Sequence, residues 1–250
     1  MRLDKYLWNL WIIARSDVPQ WTKQWLISIN GTVASTHKEH IQAGQTITLH
    51  RPELDQDITV VDTISMMLHK PEWYVSSNVE DGWHPSYREI LGDWAYTKLM
   101  NPAGRLDVDT TWLLLCTSDN ELMHRIIHPN RKVGKTYLVT SMLELTDTEL
   151  DKLRLWVEIE DKWWTLMTKP SLITRINTHH IILTIFEWRY HQIKKMLLSI
   201  NNKVVWLHRA AIGGLLIGDL PVGEFVQLSP EQIDSIFAVD YDLVHNLLAK

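Results

Sequence analysis

Asp107 is the residue of this sequence best placed to do chemistry. It ends the run Gly104-Arg105-Leu106-Asp107, and the apolar residues 112–117 that follow predict a buried strand. A carboxylate at the mouth of a buried strand, two residues from an arginine, would be held ionised and oriented. A turn with a local ion pair explains the same residues, and this segment alone does not separate the two interpretations.

Two further polar segments have no evident structural purpose. Residues 135–139, Lys-Thr-Tyr-Leu-Val, alternate as a strand and place Tyr137 on the face opposite Thr136 and Leu138. Residues 187–196 run from the end of a strand into a basic helix and include Arg189, Ile193 and Lys194. We therefore treat these two segments and the Asp107 run as the candidate site.

The sequence predicts no metal and no cofactor. It lacks GxGxxG, GxxxxGK[ST], HExxH, CxxC and GxSxG motifs, and its 12 histidines show no metal-ligand spacing. The single cysteine, Cys116, excludes a multi-cysteine metal site and lies in a buried-looking strand, so an inert core thiol is its better interpretation.

The elements that would position these residues indicate an α+β protein. Residues 1–51 predict a small module with two helices, the second capped by Ser16, an Asn30-Gly31 hairpin and a strand at 46–49. A linker at 52–60, a mixed α and β domain at 61–237 and a tail at 238–250 follow. Strands are predicted at 63–69, 112–117, 135–141, 156–159, 171–176 and 180–186, with helices at 86–91, 119–127, 146–155, 190–200 and 229–237. Because several strands adjoin directly, the sheet should be mixed and mainly antiparallel.

The charge is unevenly distributed. The net charge of −5 argues against a nucleic-acid partner, but residues 1–51 and 188–209 are locally basic, and phosphates respond to local patches. Solvated faces are the alternative explanation of these clusters. No apolar run is long enough to span a membrane and the N-terminus lacks the apolar core of a signal peptide, so we expect a cytoplasmic protein.

The three candidate segments resemble the signature motifs of the RsuA-type bacterial rRNA pseudouridine synthases. The N-terminal module resembles the S4 RNA-binding domain that precedes them, through Arg2-Leu3-Asp4-Lys5, Arg15-Ser16 and Ile29-Asn30-Gly31. Supporting matches are Lys70-Pro71, residues 73–77, Thr168-Lys169-Pro170, Leu207-His208-Arg209 and Ile212-Gly213-Gly214. The resemblance extends to about Ile236 and is nearest to the branch acting on small-subunit (16S) rRNA.

The resemblance implies that a uridine is flipped out of its stack and isomerised to pseudouridine, without metal or cofactor. It assigns catalysis to Asp107, as nucleophile or as base, to Arg189 as the partner that keeps Asp107 ionised, and to Tyr137, which stacks on the uracil. The residues that it implies contact the substrate are Arg105, Ile193, Lys135 and Lys194. The residues that it implies bind RNA phosphates are Arg2, Lys5, Arg15, Lys23 and Lys38.

The expected partner is ribosomal RNA or the assembling small ribosomal subunit, bound by a monomer. A large-subunit (23S) synthase of the same family and a non-catalytic S4-type RNA-binding factor are the alternatives. The presence of Asp107, Tyr137 and Arg189 together favours an enzyme, because a binding protein does not need all three.

Tryptophan is unusually frequent in this chain. There are 13 Trp against 10 Gly and 3 Phe, and five tryptophans stand where the family has glycine: Trp25, Trp73, Trp112, Trp156 and Trp188. Our hypothesis is that UGA codons, which mean glycine in some bacterial lineages, were translated as tryptophan. UGG codons at positions 112 and 188 would contradict it.

Overall fold

The computed structural model describes residues 1–10, 12–52, 55–61, 63–94, 96–161 and 164–249. The chain forms two compact units: Met1–Ile64 with Asp93–Met100, and Ser65–Gly92 with Asn101–Lys250. Within the described ranges, no helix has the length and apolar character needed to span a membrane.

The first unit combines two helices with a four-stranded antiparallel sheet. Its elements are α1 (Leu3–Asn9), α2 (Val18–Lys23), β1 (Ile27–Ile29), β2 (Thr32–Val33), β3 (Thr46–Leu49), β4 (Gln56–Thr59) and a 3-10 turn (Thr97–Leu99). The strands are ordered β2-β1-β3-β4. Asn30 and Gly31 have φ of 49° and 76°, which fits the predicted hairpin turn.

Two details of the first unit correct the sequence predictions. Strand β4 lies inside the predicted linker 52–60 and pairs with β3 along its whole length, so this stretch belongs to the sheet. Helix α2 begins at Val18 with Asp17 at the cap position, one residue after the predicted cap Ser16, whose hydroxyl bonds the Asp17 carboxylate.

The second unit is built around one large sheet. Its strands are β5 (Ser65–Lys70), β6 (Asn101–Pro102), β7 (Thr111–Thr117), β8 (Lys135–Ser141), β9 (Glu158–Asp161), β10 (Trp164–Met167), β11 (Leu172–Arg175), β12 (His180–Ile185), β13 (Val204–Ile212), β14 (Leu215–Leu216) and β15 (Phe225–Gln227). Its helices are α3 (Tyr87–Leu91), α4 (Asn120–Ile127), α5 (Asp147–Leu155), α6 (Gln192–Leu198), α7 (Pro230–Ser235) and α8 (Tyr241–Leu248), with a 3-10 turn at Pro129–Arg131.

The large sheet has nine strands, with the path β11-β12-β8-β13-β7-β5-β15, β14 on β13 and β6 on β7. In the described part of the chain, β13 and β7 form the only parallel pair, which confirms the prediction of a mixed and mainly antiparallel sheet. Strand β9 pairs with β10 in a separate hairpin. Apolar side chains of β7, α4 and α7 pack together on one side of this sheet, with Leu113, Leu115 and Ile126 completely buried.

The end of the chain is helical rather than the predicted tail at 238–250. Helix α8 is fixed to the sheet by Tyr241, whose hydroxyl accepts the Gly134 backbone N–H at 2.6 Å. The His245 ring contacts the hydroxyls of Thr174 and Thr184, each at 2.8 Å. Strand β13 is a second element that the sequence patterns do not predict.

Three of the five tryptophans predicted to stand at glycine positions have a glycine-like backbone. The φ angles of Trp25, Trp73 and Trp112 are 60°, 71° and 77°, in the region that L-residues seldom adopt. Trp156 has φ −177°, which is extended backbone open to any residue, and the φ of Trp188 is not positive. The backbone thus supports the glycine hypothesis at three positions and is neutral at two.

Trp25 has the backbone conformation most typical of glycine. It follows the C-cap of α2, its N–H bonds the Thr22 carbonyl at 3.1 Å, and the Leu26 N–H bonds the Trp21 carbonyl at 3.0 Å. This pair of bonds is a Schellman motif, whose left-handed position is usually glycine.

Candidate active site

Asp107 lines a small cavity of about 40 Å³ beside the large sheet. The cavity is lined by the loop before β7, by Tyr137 of β8 and Leu207 of β13, and by the start of α6. An adjoining cavity of about 420 Å³ shares Asp107, Lys194 and His191 with it. The three segments selected from the sequence therefore meet at one place.

The loop that carries Asp107, residues 104–110, is held by the turn after β5. The buried Lys70 ammonium and the Trp73 N–H both donate to the Val108 carbonyl, at 3.2 and 3.0 Å. The Leu106 N–H donates to the Ser76 hydroxyl at 3.1 Å. These bonds fix the backbone on both sides of Asp107, so the carboxylate has little freedom to move.

Lys194 is the cation that pairs with Asp107. Its Nζ lies 3.1 Å from Asp107 Oδ2 and bonds both Asp109 oxygens, at 2.6 and 2.8 Å. Burial lowers the pKa of Lys194, but the carboxylates of Asp109 and Asp107 outweigh it, and the pKa is raised overall. His191 Nε2 lies 3.5 Å from Asp107 Oδ1. Asp107 is thus flanked by nitrogen groups on both oxygens.

In this structure Arg189 does not pair with Asp107, contrary to the sequence prediction. Arg189 lines the cavity, but its Nε bonds Glu187 Oε2 at 3.2 Å and its Nη2 bonds the Met167 carbonyl at 3.3 Å. Arg189 precedes the first residue of α6 by three positions, whereas Lys194 lies in the first turn of that helix. The helix start therefore directs Lys194, and not Arg189, toward the carboxylate.

Tyr137 lies where the sequence prediction placed it, on the cavity wall. Its side chain is 5% exposed and its strand runs between β12 and β13. Burial raises the pKa of Tyr137, while the neighbouring Arg209 opposes that shift, so the phenol is neutral near pH 7. Ile193, which is 4% exposed, adds an apolar surface to the same cavity.

The other predicted substrate residues separate into two cases. Arg105 is exposed and lines both cavities around Asp107. Lys135 is buried, and its Nζ donates to the Ile126 and Val133 carbonyls at 2.9 and 2.8 Å. It does not line the two cavities that contain Asp107, and its contact with the substrate stays a prediction.

The basic residues predicted to bind RNA are in the first unit. Arg2 and Arg15 meet at the buried Asp4 carboxylate, at 2.6 and 3.6 Å. Burial opposes ionisation of Asp4, but Arg2, the Lys5 N–H and Arg15 lower its pKa overall. The side chains of Lys5, Lys23 and Lys38 are exposed. RNA binding by these five residues stays a prediction.

His191 and Lys70 belong to the site although the sequence does not predict them there. His191 falls within the basic segment, but only its left-handed backbone, with φ 52°, brings its ring to Asp107. Lys70 is part of the Lys70-Pro71 match, yet nothing in the sequence indicates that its ammonium bonds the catalytic loop. Within the described residues, no group of three or more His, Cys, Asp or Glu side chains could hold a metal ion.

Residues 64–199 match the family profile described as RNA pseudouridylate synthase. The chain belongs to the RNA pseudouridylate synthase family. The synthase is 35% identical over 239 residues to ribosomal small subunit pseudouridine synthase A of Yersinia pestis, covering 95% of this chain and 99% of that protein. The protein of the same name from Escherichia coli strain K12 is 40% identical over 171 residues, 68% of this chain and 72% of that protein.

A solved structure described as a pseudouridylate synthase resembles the synthase along nearly its whole length. The TM-score is 0.65 at 31% identity, and the match covers 94% of this chain and 99% of the other. The fold and the resemblance stated from the sequence motifs are thereby confirmed.

Proposed function

We propose that this synthase isomerises a uridine of small-subunit ribosomal RNA to pseudouridine. The observation that carries the proposal is the convergence of Asp107, Tyr137 and Lys194 on one cavity. The small-subunit substrate is supported by the names of the relatives from Y. pestis and E. coli, which match most of this chain. A cytoplasmic location and a monomeric state stay predictions.

The reaction breaks the C1′–N1 bond of uridine, turns the uracil over and joins C1′ to C5. The C5 proton is lost, N1 gains a proton, and no atom is added or removed overall. Asp107 acts at the sugar, either as nucleophile at C1′ or as the base that removes the C2′ proton. Lys194 pairs with one oxygen of this carboxylate and His191 lies beside the other, which orients the group for either role.

Tyr137 and Ile193 provide the surfaces for the detached uracil. An aromatic ring beside an apolar side chain holds a flat base while it turns. Arg105, which is exposed and lines both cavities around Asp107, binds RNA phosphate or occupies the space that the flipped base leaves. The cost of unstacking, about a few kcal/mol, requires such phosphate contacts, and the basic residues of the first unit would add to them.

The test is chemical mapping of pseudouridine after incubation with 16S and 23S transcripts. We expect a new pseudouridine in the 16S transcript and a loss of about 10²- to 10⁴-fold in rate for Asp107→Asn. Asp109→Asn is the matched control, because it also contacts Lys194 but does not face the cavity of about 40 Å³, and its loss should be much smaller.

Modification of the 23S transcript alone would overturn the substrate assignment. Undiminished product from Asp107→Asn would overturn the catalytic assignment. No product from the unaltered chain on either transcript or on assembling small subunits would favour a non-catalytic RNA-binding role.

A further inference from the structure

A third cavity, of about 540 Å³, adjoins the beginning of the catalytic loop. Its walls include Gly104 at the start of the loop, Ile127 at the end of α4, and His128 directly after that helix. It shares Arg105 with both cavities around Asp107. The proposed reaction does not use this space.

The cavity is strongly cationic. Arg105, Lys135 and Arg209 line it, and no carboxylate is found among the described residues of its wall. Arg209 is 1% exposed, and its Nε donates to the Leu113 carbonyl at 2.8 Å. Its Nη2 has no hydrogen-bond partner in the described part of the chain.

A buried guanidinium with an unpartnered nitrogen and no carboxylate in the described cavity wall is costly, and an anion beside it would offset the cost. Arg209 Nη1 lies 3.9 Å from the position that a Cβ would take on Gly104. Glycine at 104 therefore leaves the space beside this guanidinium open. Lys135 uses two of its three N–H donors on backbone carbonyls, which leaves one for a ligand.

The remaining wall is largely apolar. The rings of His124 and His128 lie 4.8 Å apart, and Ile127 lies between them in the sequence. Imidazole rings stack on nucleobases, and an anion site beside such rings suits a phosphate joined to a base.

We infer that this cavity binds a second nucleotide of the RNA, adjacent to the target uridine, with its phosphate on Arg209 and Arg105 and its base against His128. The inference rests on the proposed function, since it takes RNA as the substrate. Such a contact would hold the RNA strand next to the flipped nucleotide, and its binding energy would help to offset base flipping.

Ile127 offers a test that leaves the core intact. Its side chain is 41% exposed at the end of α4, and its Cγ2 lies 3.9 Å from the Cβ position of Gly104. Ile127→Asp places a negative charge at the cavity, and Ile127→Asn is the uncharged control of the same size. A short fluorescein-labelled oligouridylate is titrated with each variant over a salt series, and binding is read by fluorescence anisotropy.

We expect Ile127→Asp to bind the oligouridylate at least about fivefold more weakly than Ile127→Asn. The slope of log K against log salt should fall by about 0.7 for each phosphate that the protein no longer binds. Uridine 5′-monophosphate should displace the oligouridylate better than uridine does, because the cavity recognises phosphate. Equal affinities of Ile127→Asp and Ile127→Asn would overturn the inference, as would equal displacement by the nucleotide and the nucleoside.

The binding experiment needs no turnover, so the two proposals can fail separately. If the unaltered chain is inactive while Ile127→Asp and Ile127→Asn still differ in affinity, the proposed function alone is overturned. If the unaltered chain is active and the two substitutions bind equally, the cavity assignment alone is overturned.

Discussion

Exchanging Trp25 tests whether the backbone at that position was selected for glycine. Trp25 holds φ 60° in the Schellman motif after α2, and its side chain is 74% exposed. A Cβ in this region is strained, whereas glycine is not. We compare Trp25→Gly with Trp25→Ala, because both remove the indole and only alanine keeps the Cβ.

The expected difference follows from the backbone alone. Alanine at a positive φ is less stable than glycine by about 1 kcal/mol, after allowance for the greater freedom of unfolded glycine. Trp8 is the matched control, since it lies within α1 of the same unit and is 49% exposed. There glycine should be less stable than alanine by about 1 kcal/mol, so the sign is reversed.

Urea unfolding followed by far-UV circular dichroism measures both pairs without relying on tryptophan fluorescence. A slope of about 1–3 kcal/mol per M converts each difference into a midpoint shift of about 0.3–1 M. If Trp25→Gly is no more stable than Trp25→Ala, the glycine hypothesis fails at this site. Trp156, with φ −177°, should show no preference for glycine.

Three further predictions follow from the site and the core. Lys194→Gln should lower the single-turnover rate of pseudouridine formation by about 10²-fold. Arg189→Gln should lower it less, because of these two side chains only Lys194 contacts Asp107. Equal losses from the two substitutions would contradict this role of Lys194. Gly213→Ala should cost about 3 kcal/mol in urea unfolding, since its Cβ would lie 1.9 Å from the Ile236 carbonyl oxygen, whereas Gly218→Ala, at a similar φ in open space, should cost about 1 kcal/mol. Burial lowers the pKa of His245 below 6.5, so the stability that the neutral ring contributes is present above that pH and is lost as the pH falls. The urea midpoint of His245→Gln should therefore depend less on pH, between about 7.5 and about 5.5, than that of the unaltered chain. An unchanged pH dependence would refute the lowered pKa of His245.

Short apolar runs make most strands of the second unit predictable. Strand β8 is predicted at 135–141 and is found at Lys135–Ser141, because aromatic and β-branched residues are concentrated there. Strand β13 escapes prediction for a physical reason. Its sequence buries Arg209 and includes Ala210-Ala211, and charged and small residues are poor indicators of a central strand.

The residues that line the site are predictable from the sequence, but the cation that pairs with Asp107 is not. Asp107 stands out as a carboxylate just before a strand and Tyr137 as a phenol within one, and both line the same cavity. The choice between Arg189 and Lys194 depends on where α6 begins. The helix starts at Gln192, after His191 in a left-handed conformation, and not at the predicted residue 190. No pattern in the sequence predicts the left-handed backbone at His191.

The central position of β13 has a consequence for synthesis of the protein on the ribosome. Residues of β7 and β8 do not pair with one another in the described sheet, and each pairs instead with β13. Translation reaches β13 only at residues 204–212, long after both of its neighbours have been made. Asp107 precedes β7 and Tyr137 lies in β8, so the two cannot be locked at their final distance until this late strand has inserted. The nascent chain would carry two open sheet edges until then, which are the features that recruit chaperones and promote misassembly.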